Sequence, residues 1–257
     1  MKKYVTLILI FALVFNFTLI SASAYDGGVN WYIKRAGNKQ PELPKEHSII
    51  EKYNAYYIDK KLNNTSETKR IYLTFDAGYE NGNVEKILDT LKEKNVPGAF
   101  FILDHIIRKN TDLVLRMANE GHTVCNHTTN HKDMSKLSKN EIISNLTALE
   151  KNYQDTTGMK MAKYFRFPEG RYSESALACV NELGYKTVFW SFGYADWDDK
   201  CQPDREASKK KILDNTHNGA VILLHPTSTT NAEILPELID AWRAMGYSFG
   251  TLDELVR

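Results

Sequence analysis

The chain has 257 residues, 42% of them hydrophobic and 25% charged, a globular composition that excludes disordered, collagen-like and coiled-coil classes. Its length suits one large domain or two small ones. Without Lys2 and Lys3 the 33 basic against 32 acidic residues become 31 against 32, and a formal charge of −1 leaves no case for binding nucleic acid through its phosphates.

Residues 1–24 read as an export signal: Met1-Lys2-Lys3 is a positive start, Tyr4 to Ile20 an apolar run, and Ala22-Ser23-Ala24 a small-residue cleavage site. The alternative is an uncleaved membrane anchor. Either way the remainder is expected outside the cytoplasm. Residues 25–68, with Pro41, Pro44 and a polar Asn63 to Glu67 stretch, read as an N-terminal arm that holds at most a short helix near Ser48 to Ile58.

From residue 70 short β-branched or aromatic runs alternate with amphipathic stretches. The expected strands are Ile71–Phe75, Ala99–Leu103, Thr123–Asn126, Tyr164–Phe167, Thr187–Ser191, Ala220–Leu224 and a short Ser248-Phe249. Helical spacing occupies 83–94, 111–120, 139–152, 174–183, 205–216 and 231–245. Ser138 with Glu141 and Thr230 with Glu233 fit capping boxes, while Gly121, Gly184 and Gly246 sit where a left-handed residue ends a helix. This alternation predicts an α/β fold over residues 69–257, a distorted (β/α) barrel of about seven parallel strands with outer helices. A doubly wound nucleotide fold competes, but no G-x-G-x-x-G or Walker lysine follows a strand. Cys125, Cys179 and Cys201 are too few for a disulfide scaffold, though one pair is possible in an oxidising location.

Five groups of chemistry-bearing residues fall just after expected strands, where a barrel gathers its active site. Asp76 ends an apolar strand, and partial desolvation there is expected to raise its pKa and suit it as a base; it could equally be a turn-capping Asp. His127-Thr128-Thr129-Asn130-His131 places two imidazoles one helical turn apart, able to share a metal ion or to be two ordinary exposed histidines. His122 reads as structural. Arg166 is either an inward guanidinium paired with Asp76 or a surface residue on an edge strand. Asp196-Trp197 and Leu223-Leu224-His225 bring a carboxylate and an imidazole that can pair, raising the imidazole pKa so that it serves as a proton donor.

In this order the motifs resemble those of the polysaccharide deacetylases, carbohydrate esterase family four or the NodB-homology group, over about residues 69–257. Thr74-Phe75-Asp76-Ala77-Gly78 resembles the T-F-D-D-G motif, His127 to His131 the metal-binding motif, and Arg166 to Gly170 the R-x-P-x-G motif. The resemblance implies Asp76 as base, Arg166 as its orienter, a backbone amide at Glu169 in the oxyanion hole, and His225 as general acid tuned by Asp196. It also implies His127 and His131 as ligands of a divalent metal, zinc foremost with cobalt or manganese as options, and Trp197 and Leu223 around the acetyl methyl. Ala77 stands where the family has a metal-binding Asp, so Glu80 is a conceivable substitute. Glu169 replaces a common aromatic.

Asp76 to Gly82, together with Trp31 to Arg35 and Gln40 to Leu43, is similar to a narrower branch, the spore-cortex delta-lactam-forming muramic acid deacetylases. That similarity implies N-acetylmuramic acid in peptidoglycan as substrate, an amidase acting upstream, and a location at the forespore cortex or intermembrane space. A membrane-associated or lipoprotein partner is left open. A substrate carboxylate could meet Arg171 or Lys163. The competing readings are an N-acetylglucosamine deacetylase of peptidoglycan or chitin, and a non-catalytic wall-binding protein.

Overall fold

The structure, a computed structural model, describes residues 27–63 and 65–257; the expected export signal lies outside the described residues. Its strands are β1 (Val29–Asn30), β2 (Ala55–Tyr56), β3 (Lys69–Ala77), β4 (Ala99–Ile102), β5 (Thr123–Asn126), β6 (Ala162–Phe165), β7 (Arg171–Tyr172), β8 (Lys186–Val188), β9 (Val221–Leu224) and β10 (Tyr247–Phe249). Its helices are α1 (Asn83–Glu93), α2 (Asp104–Lys109), α3 (Thr111–Asn119), α4 (Lys139–Thr157), α5 (Glu174–Glu182), α6 (Arg205–Asp214), α7 (Thr229–Ala244) and α8 (Leu252–Leu255).

The seven expected strands are all present and run parallel in the order β10-β3-β4-β5-β6-β8, with β9 also on β3. One edge of β3 serves two partners, β10 along Lys69 to Ile71 and β9 along Tyr72 to Phe75. A parallel bridge from Phe192 to Ile222 draws the chain beyond β8 toward β9, so the sheet curls into a half-barrel with helices around it. The alternation of β3 explains the layering. Ile71, Leu73, Phe75 and Ala77 join the outer core with Val84, Leu88, Leu235 and Ile239 of α1 and α7. Tyr72 packs in the interior with Phe101, Cys125, Tyr164 and Val221. Asp76 is therefore inward, and Ala77 is turned into the helix layer.

The segment 25–68 contributes more to the sheet than its composition suggests. A 3₁₀ helix over Lys45–Lys52 replaces the helix expected near 48–58, and β2 follows it and pairs parallel with β8. Upstream, β1 pairs antiparallel with β7, and Trp31 stacks on Phe189 at 4.4 Å. The Trp31 backbone N–H donates to the Gly170 carbonyl and its indole N–H to the Trp190 carbonyl, each at 3.0 Å. Gly170 must be glycine here: its φ is +64°, and a Cβ would lie 2.8 Å from the Trp190 ring and 2.9 Å from Trp31.

Helix ends follow local chemistry. The Ser138–Glu141 capping box is formed, and Gly121, Gly184 and Gly246 all have positive φ. At α7 the expected Thr230–Glu233 box is not the start: Ser228 is the cap, its hydroxyl accepting from Asn231 N–H. Two residues earlier suffices because Thr229 already has helical geometry. All three cysteines are free, Cys125 and Cys179 buried and Cys201 exposed. His122 is buried, its Nδ1 accepting from Gly98 N–H at 3.2 Å, a structural placement.

Trp31→Ala empties a buried aromatic site and is expected to cost about 3–5 kcal/mol. Denaturant unfolding checks this, and unchanged stability would show that the arm does not hold the domain together.

Candidate active site

Every group singled out above lies at the C-terminal end of the barrel strands. Asp76, Glu169, His127, His131, Trp197, Leu223 and His225 line one cavity of about 830 Å³. Arg166 and Asp196 stand directly behind it, each nearly or wholly buried.

Arg166 settles the choice between an inward and a surface guanidinium. It follows β6, which lies between β5 and β8 and is no edge. Its Nη1 donates to Asp76 Oδ1 at 2.8 Å, Nη2 to Thr74 Oγ1 at 2.9 Å and to the Phe189 carbonyl at 3.3 Å, and Nε to the Val188 carbonyl at 2.9 Å. The Phe101 ring lies 4.2 Å from its guanidinium carbon, a cation–π contact.

This pairing reverses the expectation for Asp76. Burial alone would raise its pKa, but Arg166, then His127 and His225, outweigh burial and hold the carboxyl below its ordinary value. Asp76 is therefore ionised at neutral pH. Its Oδ2 faces His127 Nε2 at 3.5 Å.

The two imidazoles converge, though not on a helix. Residues 127–131 form a loop in which Thr128 (φ 77°) and His131 (φ 56°) are left-handed. Side chains supply what the helix would have: Asn126 Oδ1 accepts from Thr128 N–H at 2.9 Å, Thr128 Oγ1 from His131 N–H at 2.9 Å, and Asn145 Oδ1 from Thr129 N–H at 2.8 Å. The rings sit 5.0 Å apart. His127 Nδ1 donates to the Arg166 carbonyl at 2.9 Å, which leaves the Nε2 lone pair toward the cavity. Burial lowers the His127 pKa to about 4 and lowers that of His131 as well. Two neutral imidazoles beside an ionised carboxylate, with two acceptors 3.5 Å apart, fit the donor chemistry of a divalent cation. Among the described residues no three His, Cys, Asp or Glu side chains form a metal-holding group. Glu80 is elsewhere occupied: its carboxylate accepts from Gly82 and Val84 N–H at the start of α1.

Across the cavity, His225 Nδ1 donates to Asp196 Oδ1 at 2.7 Å, and His225 N–H to Oδ2 at 2.9 Å. Asn231 Nδ2 donates to the same Oδ2 at 2.6 Å. Burial would lower the His225 pKa, but the hydrogen bond and charge of Asp196, with Asp76 behind it, raise it above the usual value. Trp197 meets His225 edge to face with ring centroids 6.0 Å apart. Glu169 has φ 56° within the Pro168–Gly170 turn. Neither basic residue proposed for a substrate carboxylate is uncommitted: Arg171 binds Asp133 and Asn30, and Lys163 binds Glu150. Sequence reasoning missed Tyr79, Leu103, Trp190, Tyr194 and Thr227 in the lining, since isolated aromatics and aliphatics carry no spacing signal.

The fold and these motifs define a family 4 carbohydrate esterase: residues 63–188 match the polysaccharide deacetylase family, to which the chain belongs. It is 39% identical to the peptidoglycan-N-acetylmuramic acid deacetylase PdaA of Bacillus subtilis, over 89% of this chain and 86% of that one. The solved structure of Bacillus subtilis PdaA, a family 4 carbohydrate esterase, matches with a TM-score of 0.83 at 36% identity, covering 90% of this chain and 97% of that one. The peptidoglycan-N-acetylglucosamine deacetylase PgdA of Listeria monocytogenes is 33% identical over 73% of this chain and 39% of its own length.

Because Asp196 raises the His225 pKa, Asp196→Asn is expected to lower it. Imidazole NMR titration of the two proteins checks this, and coincident titration curves would remove Asp196 as the tuning group.

Proposed function

We propose that this chain hydrolyses the N-acetyl group of N-acetylmuramic acid in peptidoglycan whose peptide an amidase has removed. The freed amine then closes on the lactyl carboxylate, with loss of water, to give muramic delta-lactam in the spore cortex. The observation that supports a hydrolase most is the opposite tuning of two groups on one cavity: the Asp76 pKa lowered by Arg166, and the His225 pKa raised by Asp196. Preference for the muramic sugar draws on the likeness to PdaA, which extends over 89% of this chain and so takes in most of the arm.

In the proposed reaction Asp76 accepts a proton from water as the water oxygen attacks the acetyl carbon, with Arg166 fixing the carboxylate. The backbone N–H of Glu169 donates to the oxyanion of the tetrahedral intermediate. The C–N bond breaks as His225 gives its Nε2 proton to the departing nitrogen, leaving acetate and a free amine, while Asp196 keeps Nδ1–H in place. Leu223 and Trp197 wall the acetyl methyl. His127 and His131 would hold a divalent metal, zinc foremost with cobalt or manganese as options, which when bound supplies Lewis-acid polarisation and a more acidic water. The site works outside the cytoplasm, and among the described residues no helix is long and apolar enough to cross a membrane.

Asp76→Asn and His225→Ala are each expected to lower acetate release by about 10²–10⁴-fold with the fold intact; near-native release by either folded variant would remove that residue from the mechanism. Mass analysis of amidase-digested peptidoglycan after treatment should show acetyl loss from muramic residues. Loss from glucosamine residues instead would overturn the proposed substrate.

A further inference from the structure

Residues 195–203 carry Trp197 over the mouth of the cavity and have no regular secondary structure. Trp197 is 61% exposed, the most exposed large apolar side chain among the described residues. An indole so exposed takes its orientation from its edge contact with His225 and from the bonds that anchor the segment to either side, among them Ser228 Oγ to Gln202 Oε1 at 2.6 Å and Thr230 Oγ1 to the Pro203 carbonyl at 2.7 Å. On one side Asp196 is held by His225 and Asn231. On the other, Asp199 Oδ2 accepts from the Tyr79 hydroxyl at 2.6 Å, the length of a charge-assisted bond. Tyr79 comes from the loop after β3, two residues beyond Ala77, and lines the cavity together with Thr227 and Trp197. Its bond therefore joins the loop that follows Asp76 to the loop that follows Asp196. Burial, then the Asp199 carboxylate, hold the phenol pKa above its ordinary value, so the hydroxyl stays a donor at neutral pH.

We propose that Tyr79 is a positioning residue whose hydroxyl, through Asp199, latches residues 195–203 so that the Trp197 ring is held where the apolar C–H face of a pyranose packs against it. The latch stands on geometry alone; its ligand, a glycan sugar, rests on the deacetylase reading above. The binding contribution is preorganisation, because without the latch a glycan would have to order the loop as it binds.

Tyr79→Phe keeps the ring and removes the bond. Hydrogen exchange of the amides in 195–203 is expected to quicken about tenfold, with exchange elsewhere and Tm unchanged. Asp199→Asn, which keeps an acceptor for the phenol but removes the charge that shortens the bond, should quicken exchange by less than Tyr79→Phe does. Asp199→Ala should match Tyr79→Phe, and the double variant should add nothing further. Native exchange in Tyr79→Phe, or additive effects in the double variant, would overturn the latch. With peptidoglycan as substrate, KM should rise about tenfold while kcat stays within about threefold. Faster exchange with unchanged KM would overturn the part given to Trp197 in holding the sugar. Exchange requires no substrate, so a native protein that releases no acetate would defeat the deacetylase reading and leave the latch decided by exchange alone.

Discussion

A guanidinium buried at the centre of the barrel sets the terms for everything around it. Arg166 is fully shielded from solvent, and a buried charge left unpaired costs several kcal/mol, so it must be paired. Four of its five N–H donors go to Asp76 and Thr74 on β3 and to carbonyls at the end of β8, which ties three strands together at the level of the cavity. The same contacts decide the state of Asp76. Stability and chemistry thus share one ion pair.

From that pair the polarity of the site follows. The Asp76 pKa is drawn below its ordinary value and the His225 pKa is raised above its own, so the two groups on one cavity are tuned in opposite directions. Between them His127, locked by the Arg166 carbonyl, stays neutral and directs a lone pair inward. Arg166 therefore acts on Asp76, the proposed base, through its side chain and on a candidate metal ligand through its backbone. Around this polar group Leu103, Trp190, Tyr194, Trp197 and Leu223 supply an apolar lining suited to a methyl group and a sugar face.

The barrel was legible because its strands are short, apolar and regularly spaced, and each begins a segment at helical period. The gathering of the candidate residues at one cavity was legible because each follows such a strand. What the sequence hid has physical causes. Strands β1, β2 and β7 are two residues long and take their identity from partners distant in the chain, which no local pattern records. Helix α2 is six residues long and offers only Ile106 and Ile107 as buried positions, too few to show a period. The His127 to His131 spacing read as one helical turn, whereas side-chain hydrogen bonds and two left-handed residues bring the rings together. The direction of the Asp76 shift depended on a partner 90 residues away, and burial without that partner gives the opposite sign.

The most direct measurement of the account's core is a carbon NMR titration of the Asp76 carboxyl in metal-free protein, compared with Arg166→Met if that variant folds. The account predicts a native carboxyl that titrates below the ordinary Asp value of about 3.9 and remains ionised through neutral pH. A native Asp76 that takes up its proton near neutral pH would show that burial prevails over the guanidinium, and the proposed base would already be spent.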